Sequence, residues 1–128
     1  MITKNGATRL HALVAADAPE TADSLCMQLR HWGHDCDVAY GGDAALRACR
    51  ERGYRVVIAE VALPRSAGFD LAEKISRAPG PRPLLIAVTR LTSPEYRRRA
   101  NECGFDHCLV KPDDSGELRR LLDRAGSG

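Results

Sequence analysis

The chain has 128 residues, which fits one domain of about 100–200 residues and excludes two full domains. Hydrophobic residues make up 44% and charged residues 28%, which excludes global disorder. Apolar runs such as residues 84–88 fall far short of the ~18 residues that a membrane span needs. The formal net charge of +2 is too mild to indicate nucleic acid or an anionic membrane as a partner.

The five cysteines indicate the compartment. They include no C-x-x-C pair, and no basic-then-apolar secretory signal is found at the N-terminus. Free thiols in a reducing environment are typical of the cytoplasm, which is where we expect this chain.

Apolar runs and helical periods alternate along the chain. Residues 1–10 lack a hydrophobic period and predict a tail, and residues 126–128 predict a second tail or the start of a linker. Five apolar runs predict strands at 11–16, 36–40, 56–59, 84–89 and 108–110. Each is followed by apolar residues at helical spacing, with Asp43 and Ser93 as predicted N-caps and Gly33 and Gly104 as predicted helix ends. Five strands alternating with five helices predict one α/β domain over residues 11–125, a parallel sheet with helices on both faces.

Polar side chains follow four of the predicted strands. Asp17 follows the first, Glu60 the third, Thr89 ends the fourth, and Lys111 follows the fifth. Ligands of open α/β sheets bind beyond the carboxyl ends of the strands. Two carboxylates, a hydroxyl and an ammonium are therefore predicted to converge at one edge of the sheet.

Five stretches, by their order and spacing, resemble the receiver domain of two-component response regulators, and the resemblance covers about residues 11–125. They are LVAADAPE at 13–20, VVIAEVALP at 56–64, the glycine at 68, IAVT at 86–89 and GFDHCLVKP at 104–112. The resemblance implies a flavodoxin-like, doubly wound fold whose five-stranded parallel sheet has the order 2-1-3-4-5, with five helices.

The resemblance also implies a site. Receivers of this family accept a phosphoryl group from a histidine kinase on an aspartate at the end of the third strand, beside an acidic pair that helps to hold Mg²⁺. By position, Asp17 matches the second acid of that pair, and Ala62 matches the residue whose backbone carbonyl binds the metal. Thr89 and Lys111 match the two residues that contact the phosphoryl oxygens.

Four positions depart from the family pattern. Glu60 stands at the phosphoacceptor position, and Ala16 replaces the first acid of the pair. Glutamate carries its carboxylate one methylene further out, and a misplacement near ~1 Å can cost ~100-fold in rate. Arg90 stands where the family usually has a small residue and would close the pocket, and Cys108 stands where many receivers have an aromatic switch residue.

Several interpretations stay open for these residues. Glu60 is interpreted as a phosphoacceptor, as a phosphate mimic that reaches Lys111, or as a carboxylate paired with Lys111 that keeps the fold. For Asp17 we favour a helix N-terminal or ion-pairing acid over a metal ligand. The histidines and cysteines at 31–36 and 103–108 would suit a metal, but a solvated loop is favoured for the first segment and a core-facing Cys103 for the second. A flavodoxin-like cofactor binder is disfavoured, because no Ser/Thr/Gly-rich phosphate loop follows the first strand.

Two clusters of arginines on the predicted last two helices bear on which partner the chain binds. Arg97 and Arg98 lie on the predicted fourth helix and Arg119 and Arg120 on the fifth. A solvated basic face is the favoured interpretation, and a docking surface for an acidic protein is the functional one.

We expect a pseudo-receiver: a phosphorylation-independent protein-interaction module of bacterial signalling, not an enzyme, without a cofactor and with Mg²⁺ bound at most weakly. We expect a protein partner on the face formed by helix 4, strand 5 and helix 5, with a homodimer left open and neither nucleic acid nor a membrane bound.

Overall fold

A computed structural model describes residues 8–60, 67–89, 94–110 and 115–127. The strands are β1 (His11–Ala16), β2 (Asp35–Tyr40), β3 (Val56–Glu60), β4 (Leu84–Thr89) and β5 (His107–Val110). The helices are α1 (Pro19–His31), α2 (Gly42–Glu51), α3 (Ala67–Arg77), α4 (Pro94–Glu102) and α5 (Ser115–Ser127). None of these helices, as far as the chain is described, is long and apolar enough to cross a membrane.

The five strands form one sheet in the order β2-β1-β3-β4-β5, and every neighbouring pair is parallel. The predicted fold class and strand order are therefore confirmed. This order places the carboxyl ends of β1, β3 and β4 side by side. The ligand edge of the sheet is consequently formed by residues that are distant in sequence.

Both faces of the sheet are covered, which explains why its central strands are apolar runs. Val14 and Ile58 pack into a cluster with α1 and α5, whereas Leu13 and Val57 pack into a second cluster with α2, α3 and α4. All four side chains have no exposed surface. A strand buried on both faces cannot alternate apolar and polar residues, so the continuous runs in the sequence follow from the parallel architecture.

The domain extends beyond both predicted ends. Leu10 is only 2% exposed and belongs to the core. Its N–H donates to Nδ1 of His34 at 3.1 Å, and its carbonyl accepts the N–H of Asp35 at 2.9 Å. Helix α5 continues to Ser127. The predicted N-terminal tail is therefore wrong at Leu10, and the predicted C-terminal tail is wrong at residues 126 and 127, which are helical.

The start of α2 also differs from the prediction. Its N-cap is Gly41, without a side-chain cap hydrogen bond, and Asp43 lies in the first helical turn. Asp43 is thus not the cap, although a carboxylate in the first turn still opposes the helix dipole favourably. The predicted helix ends at Gly33 and Gly104 are confirmed by their positive φ angles of 98° and 112°. The predicted cap Ser93 lies outside the described residues.

Candidate functional site

Three neighbouring strands end at the predicted ligand edge. Ala15 of β1 lies opposite Ala59 of β3, so that Ala16 and Glu60 come next along the two strands. Glu60 in turn lies opposite Val88 of β4. The parallel register therefore brings the ends of β1 and β3 together, with the last residue of β4 beside them.

A small cleft lies at this edge. It has a volume of about 20 Å³ and is lined by residues that include Ala16, Asp17, Glu60 and Leu71. Asp17 is exposed, Glu60 is half-buried, and Thr89, at the end of β4, is 1% exposed. A cavity of this size has room for about one water molecule. The structure thus places Ala16, Asp17 and Glu60 around one narrow opening.

Gly41 borders the cleft and is not among the predicted site residues. Its N–H donates to the carbonyl of Ala16 at 3.1 Å, and its φ angle is 97°. A Cβ at this position would lie 4.0 Å from Oδ1 of Asp17. The turn between β2 and α2 therefore passes close to the Asp17 carboxylate. The glycine pair that directly follows β2 is the sequence signal for this turn, because glycine adopts a positive φ without steric cost.

The side chains at the cleft include few oxygen ligands for Mg²⁺. They offer two carboxylates, Asp17 and Glu60, and the side chain of Ala16 has no oxygen. Within the described ranges, no three His, Cys, Asp or Glu side chains cluster as metal ligands would. Mg²⁺ requires near-octahedral oxygen ligands and loses its water reluctantly. Weak binding of Mg²⁺ stays a prediction, because Mg²⁺ commonly takes one or two protein carboxylates and completes its coordination with water.

Three of the predicted site residues, Ala62, Arg90 and Lys111, lie outside the described residues. The metal-binding carbonyl, the pocket-closing guanidinium and the lysine contact therefore stay predictions. The same holds for the pairing of Glu60 with Lys111.

Cys108 fills the predicted switch position with a small side chain. It lies opposite Ala87 in the sheet, is half-buried and packs against the core cluster that contains Phe105. The sulfur side chain is part of the hydrophobic packing on this face. A switch that works by rotating an aromatic ring at position 108 therefore cannot operate in this chain.

The basic residues of α4 and α5 differ in their surroundings. Arg97 is exposed. Nε of Arg98 lies 4.0 Å from Glu102, and Nη2 of Arg120 lies 2.8 Å from Glu117. Exposed ion pairs of this kind stabilise a fold by about 0–1 kcal/mol. They lower the net positive charge that α4 and α5 present to a partner.

Arg119 does not join the other arginines. It is half-buried, and its guanidinium lies 5.6 Å from the ring centroid of Trp32, at the end of α1. Such a cation–π contact orients the side chain toward α1. Arg119 therefore lies toward α1, and its place in the predicted partner face stays a prediction.

The two His/Cys segments do not form a metal centre in the described part of the chain. His31 is exposed, whereas His34 is 2% exposed. The predicted solvated loop is therefore wrong at His34, whose Nδ1 accepts the N–H of Leu10. Cys103 is 8% exposed and belongs to the core, as expected.

Burial lowers the pKa of His34, because the charged imidazolium loses its hydration. The carboxylate of Asp123 opposes this effect, whereas the guanidinium groups of Arg9 and Arg119 add to it. His34 is thus held neutral in the folded protein, with Nδ1 available as an acceptor.

We expect the folded protein to lose stability as the pH falls through the ordinary histidine range. The unfolded chain takes up a proton on His34 below its ordinary pKa of about 6.5, whereas the folded chain, with its lowered pKa, does not. The stability that the neutral His34 contributes is therefore present above the pKa of the unfolded chain. It is lost as the pH falls from that pKa toward the lower pKa of His34 in the folded protein. The urea midpoint should therefore be lower at about pH 5.5 than at about pH 7.5. The difference should be smaller in His34→Asn, which does not titrate but whose Oδ1 can accept the same N–H. His31→Asn, at an exposed position, should retain the wild-type difference. An unchanged pH dependence in His34→Asn would contradict this expectation.

Comparison with known proteins gives a consistent result. The family described as the response regulator receiver domain matches residues 12–123. The virulence sensor protein BvgS of Bordetella pertussis is 33% identical over 122 residues, and the gliding motility regulatory protein of Myxococcus xanthus is 30% identical over 120 residues. These alignments cover 91% and 92% of the chain but only 10% and 15% of those proteins. An uncharacterized 14.6 kDa protein of Leptolyngbya boryana is 32% identical over 117 residues, with 91% of the chain and 89% of that protein covered.

Solved structures agree in fold. A response regulator receiver domain (CheY-like) from Methylobacillus flagellatus superposes with a TM-score of 0.77 at 27% identity, covering 92% of the chain and 99% of that structure. The receiver domain of a signal transduction histidine kinase from Syntrophus aciditrophicus gives a TM-score of 0.81 at 27% identity, covering 93% of the chain and 91% of that structure.

Proposed function

Because the chain belongs to the response regulator receiver domain family, we propose that it is an atypical receiver that acts in two-component signalling without being phosphorylated. The observation that carries the proposal is the cleft of about 20 Å³ in which β3 ends at Glu60 beside Ala16. Both positions hold aspartate or another acid in the receivers that the chain resembles.

The length of the Glu60 side chain opposes phosphoryl transfer. In-line transfer depends on the position of the attacking oxygen, and an error near ~1 Å can cost ~100-fold in rate. Glutamate displaces that oxygen by about one bond length relative to aspartate. The narrow cleft, bordered by Leu71 and by the β2–α2 turn, leaves little space for a phosphoryl group around the longer side chain.

The electrostatics oppose it as well. The transferred phosphoryl group is anionic, and Mg²⁺ normally neutralises its charge during transfer. With Asp17 and Glu60 as the carboxylates at the cleft and alanine at position 16, Mg²⁺ is bound at most weakly. With glutamate at the acceptor position and Mg²⁺ bound at most weakly, we propose a binding module and not an enzyme.

The proposed partner is an acidic protein surface that contacts α4, β5 and α5. Arg97 and Arg98 are exposed on α4, and Arg120 is exposed on α5. Exposed cations speed the encounter with an acidic partner more than they strengthen the complex. A second copy of the chain is the alternative partner.

A working phosphorelay receiver is the competing function. It is favoured by Thr89, whose hydroxyl-bearing side chain is buried at the end of β4, and by Asp17 at the end of β1. In that case Glu60 would accept the phosphoryl group in spite of its length.

Acetyl phosphate with Mg²⁺ distinguishes the two functions. We expect the intact mass of the wild-type chain to show no phosphoryl adduct. Glu60→Gln, which keeps the shape but removes the carboxylate, serves as the control for adducts elsewhere. An adduct on the wild type that maps to Glu60 and is missing in Glu60→Gln would establish the phosphorelay function and exclude ours.

A further inference from the structure

A second cavity lies at the opposite edge of the sheet. It has a volume of about 780 Å³ and is bordered by the residues before β3, by the loop before β4 and by the ends of α2 and α3. Small-molecule sites commonly measure about 300–1,000 Å³. We call it the proline cavity, because Pro79, Pro81 and Pro83 line one wall.

The lining combines an apolar floor with a cationic rim. Tyr54 and Ile75 are buried in the floor. The rim carries four cations: Arg50, Arg55, Lys74 and Arg77. None of the described residues that line the cavity is acidic.

Helix ends explain only part of this charge. Arg50 lies in the last turn of α2 and Arg77 in the last turn of α3, where cations offset the partial negative charge of the helix end. Neither side chain forms an ion pair with any described residue, whereas Arg82 in the neighbouring loop is paired with Asp106 at 3.1 Å. Favourable interactions with the helix dipoles also do not explain why a large cavity lies between these cations.

The wall of the cavity is preorganised. Three prolines have a fixed φ and no N–H donor, so the loop before β4 has few conformations into which it could collapse. The N–H of Leu84 donates to the carbonyl of Arg55 at 2.9 Å, which joins the two bordering loops. The Tyr54 hydroxyl donates to Oδ2 of Asp37 at 2.8 Å and so fixes the ring that forms part of the floor. A preformed site avoids the cost of ordering on binding.

We propose that the proline cavity binds a small organic polyanion with a flat apolar body, of the class of nucleoside di- and triphosphates. The guanidinium groups of Arg50 and Arg77 would bind the phosphates, since Arg can donate two parallel hydrogen bonds to one phosphate group. The proline rings, Ile75 and Tyr54 would contact the base. This site is independent of the proposed receiver function and of the Glu60 cleft.

The test uses adenosine triphosphate as the probe and amide chemical shifts as the readout, at low ionic strength. We expect the amides of Gly53 and Ala78, at the proline cavity, to shift, and those of Gly41 and Gly42, at the Glu60 cleft, to stay. Adenosine, without charge, and tripolyphosphate, without a base, should each bind at least about tenfold more weakly than the nucleotide.

Charge reversal supplies the second arm. Arg50→Glu with Arg77→Glu should weaken binding by about tenfold or more. Arg47→Glu with Arg124→Glu is the matched control, because it changes the net charge equally at exposed positions that do not line the cavity. Lys74 is left unchanged, because it also borders a cavity of about 200 Å³ with Asp43 and Asp70.

Four results would overturn the proposal. They are shifts centred on Gly41 and Gly42, equal weakening in both charge-reversal pairs, equal affinity for tripolyphosphate, and tighter binding of a short glutamate peptide than of the nucleotide. The last would assign the cavity to an acidic peptide.

Discussion

The double variant Ala16→Asp with Glu60→Asp is expected to accept a phosphoryl group from acetyl phosphate, whereas we expect no adduct on the wild type. Glu60→Asp shortens the side chain by one methylene and so moves the attacking oxygen back by about one bond length. A displacement of this size can change a transfer rate ~100-fold. Ala16→Asp adds a third carboxylate beside Asp17, which provides the hard oxygen ligands that Mg²⁺ prefers. Intact mass after incubation with Mg²⁺ should show one phosphoryl adduct, and millimolar Mg²⁺ should raise the Tm of the double variant more than that of the wild type.

The single variants separate the two contributions. Glu60→Asp alone should react slowly, because the metal ligand is still missing. Ala16→Asp alone should be destabilised in the absence of Mg²⁺, since Ala16 is only 4% exposed and a buried carboxylate lacks a partner there. If the folded double variant bound Mg²⁺ and still formed no adduct, side-chain length and metal ligation would not be what prevents phosphorylation.

Gly104→Ala is expected to lower the free energy of unfolding by about 2–5 kcal/mol. Gly104 has a φ of 112°, where a residue with a Cβ is strained by about 1–2 kcal/mol. The new Cβ would also lie 2.2 Å from Oγ and 3.2 Å from Cβ of Ser76 on α3. Separating these atoms requires displacement at a packed contact, which typically costs about 1–3 kcal/mol. Urea denaturation measures the change.

Two further variants divide this effect into its parts. Gly80→Ala has a similar φ of 99° but no atom within 4 Å of the added Cβ, so it should show the backbone strain alone. Ser76→Ala should recover part of the loss in the Gly104→Ala background. The buried Oγ of Ser76 has no hydrogen-bond partner among the described residues, so its removal costs little by itself. Equal losses in Gly104→Ala and Gly80→Ala would show that the contact with Ser76 does not matter.

The alternation of elements was predictable because each element has a strong local pattern. The strand ends were predictable for a related reason: parallel strands share one carboxyl edge, so Asp17 and Glu60 meet whatever the loops between them do. Leu10 was missed because it is one apolar residue in a polar stretch, and its burial depends on a partner 24 residues away, His34. No local pattern contains such a pair.

Side-chain direction and cavity shape were beyond the sequence. The periodicity of α5 places Arg119 on the helix surface but does not say that Trp32 will hold it. The proline cavity is bordered by segments from residue 46 to residue 83, none of which has a binding motif of its own. Its charge is visible only once the ends of α2 and α3 lie next to each other.

The docking of Leu10 fixes where the chain can be cut or joined to another protein. A fragment that begins at His11, the first residue of β1, would leave the N–H of Asp35 and Nδ1 of His34 without the groups that they bind. It would also open the core where Leu10 lies against the α1 and α5 layer. A fluorescent protein or an affinity tag therefore belongs before residue 8, with its linker entering ahead of this anchor, and a domain transplant should carry Leu10 along with the first strand.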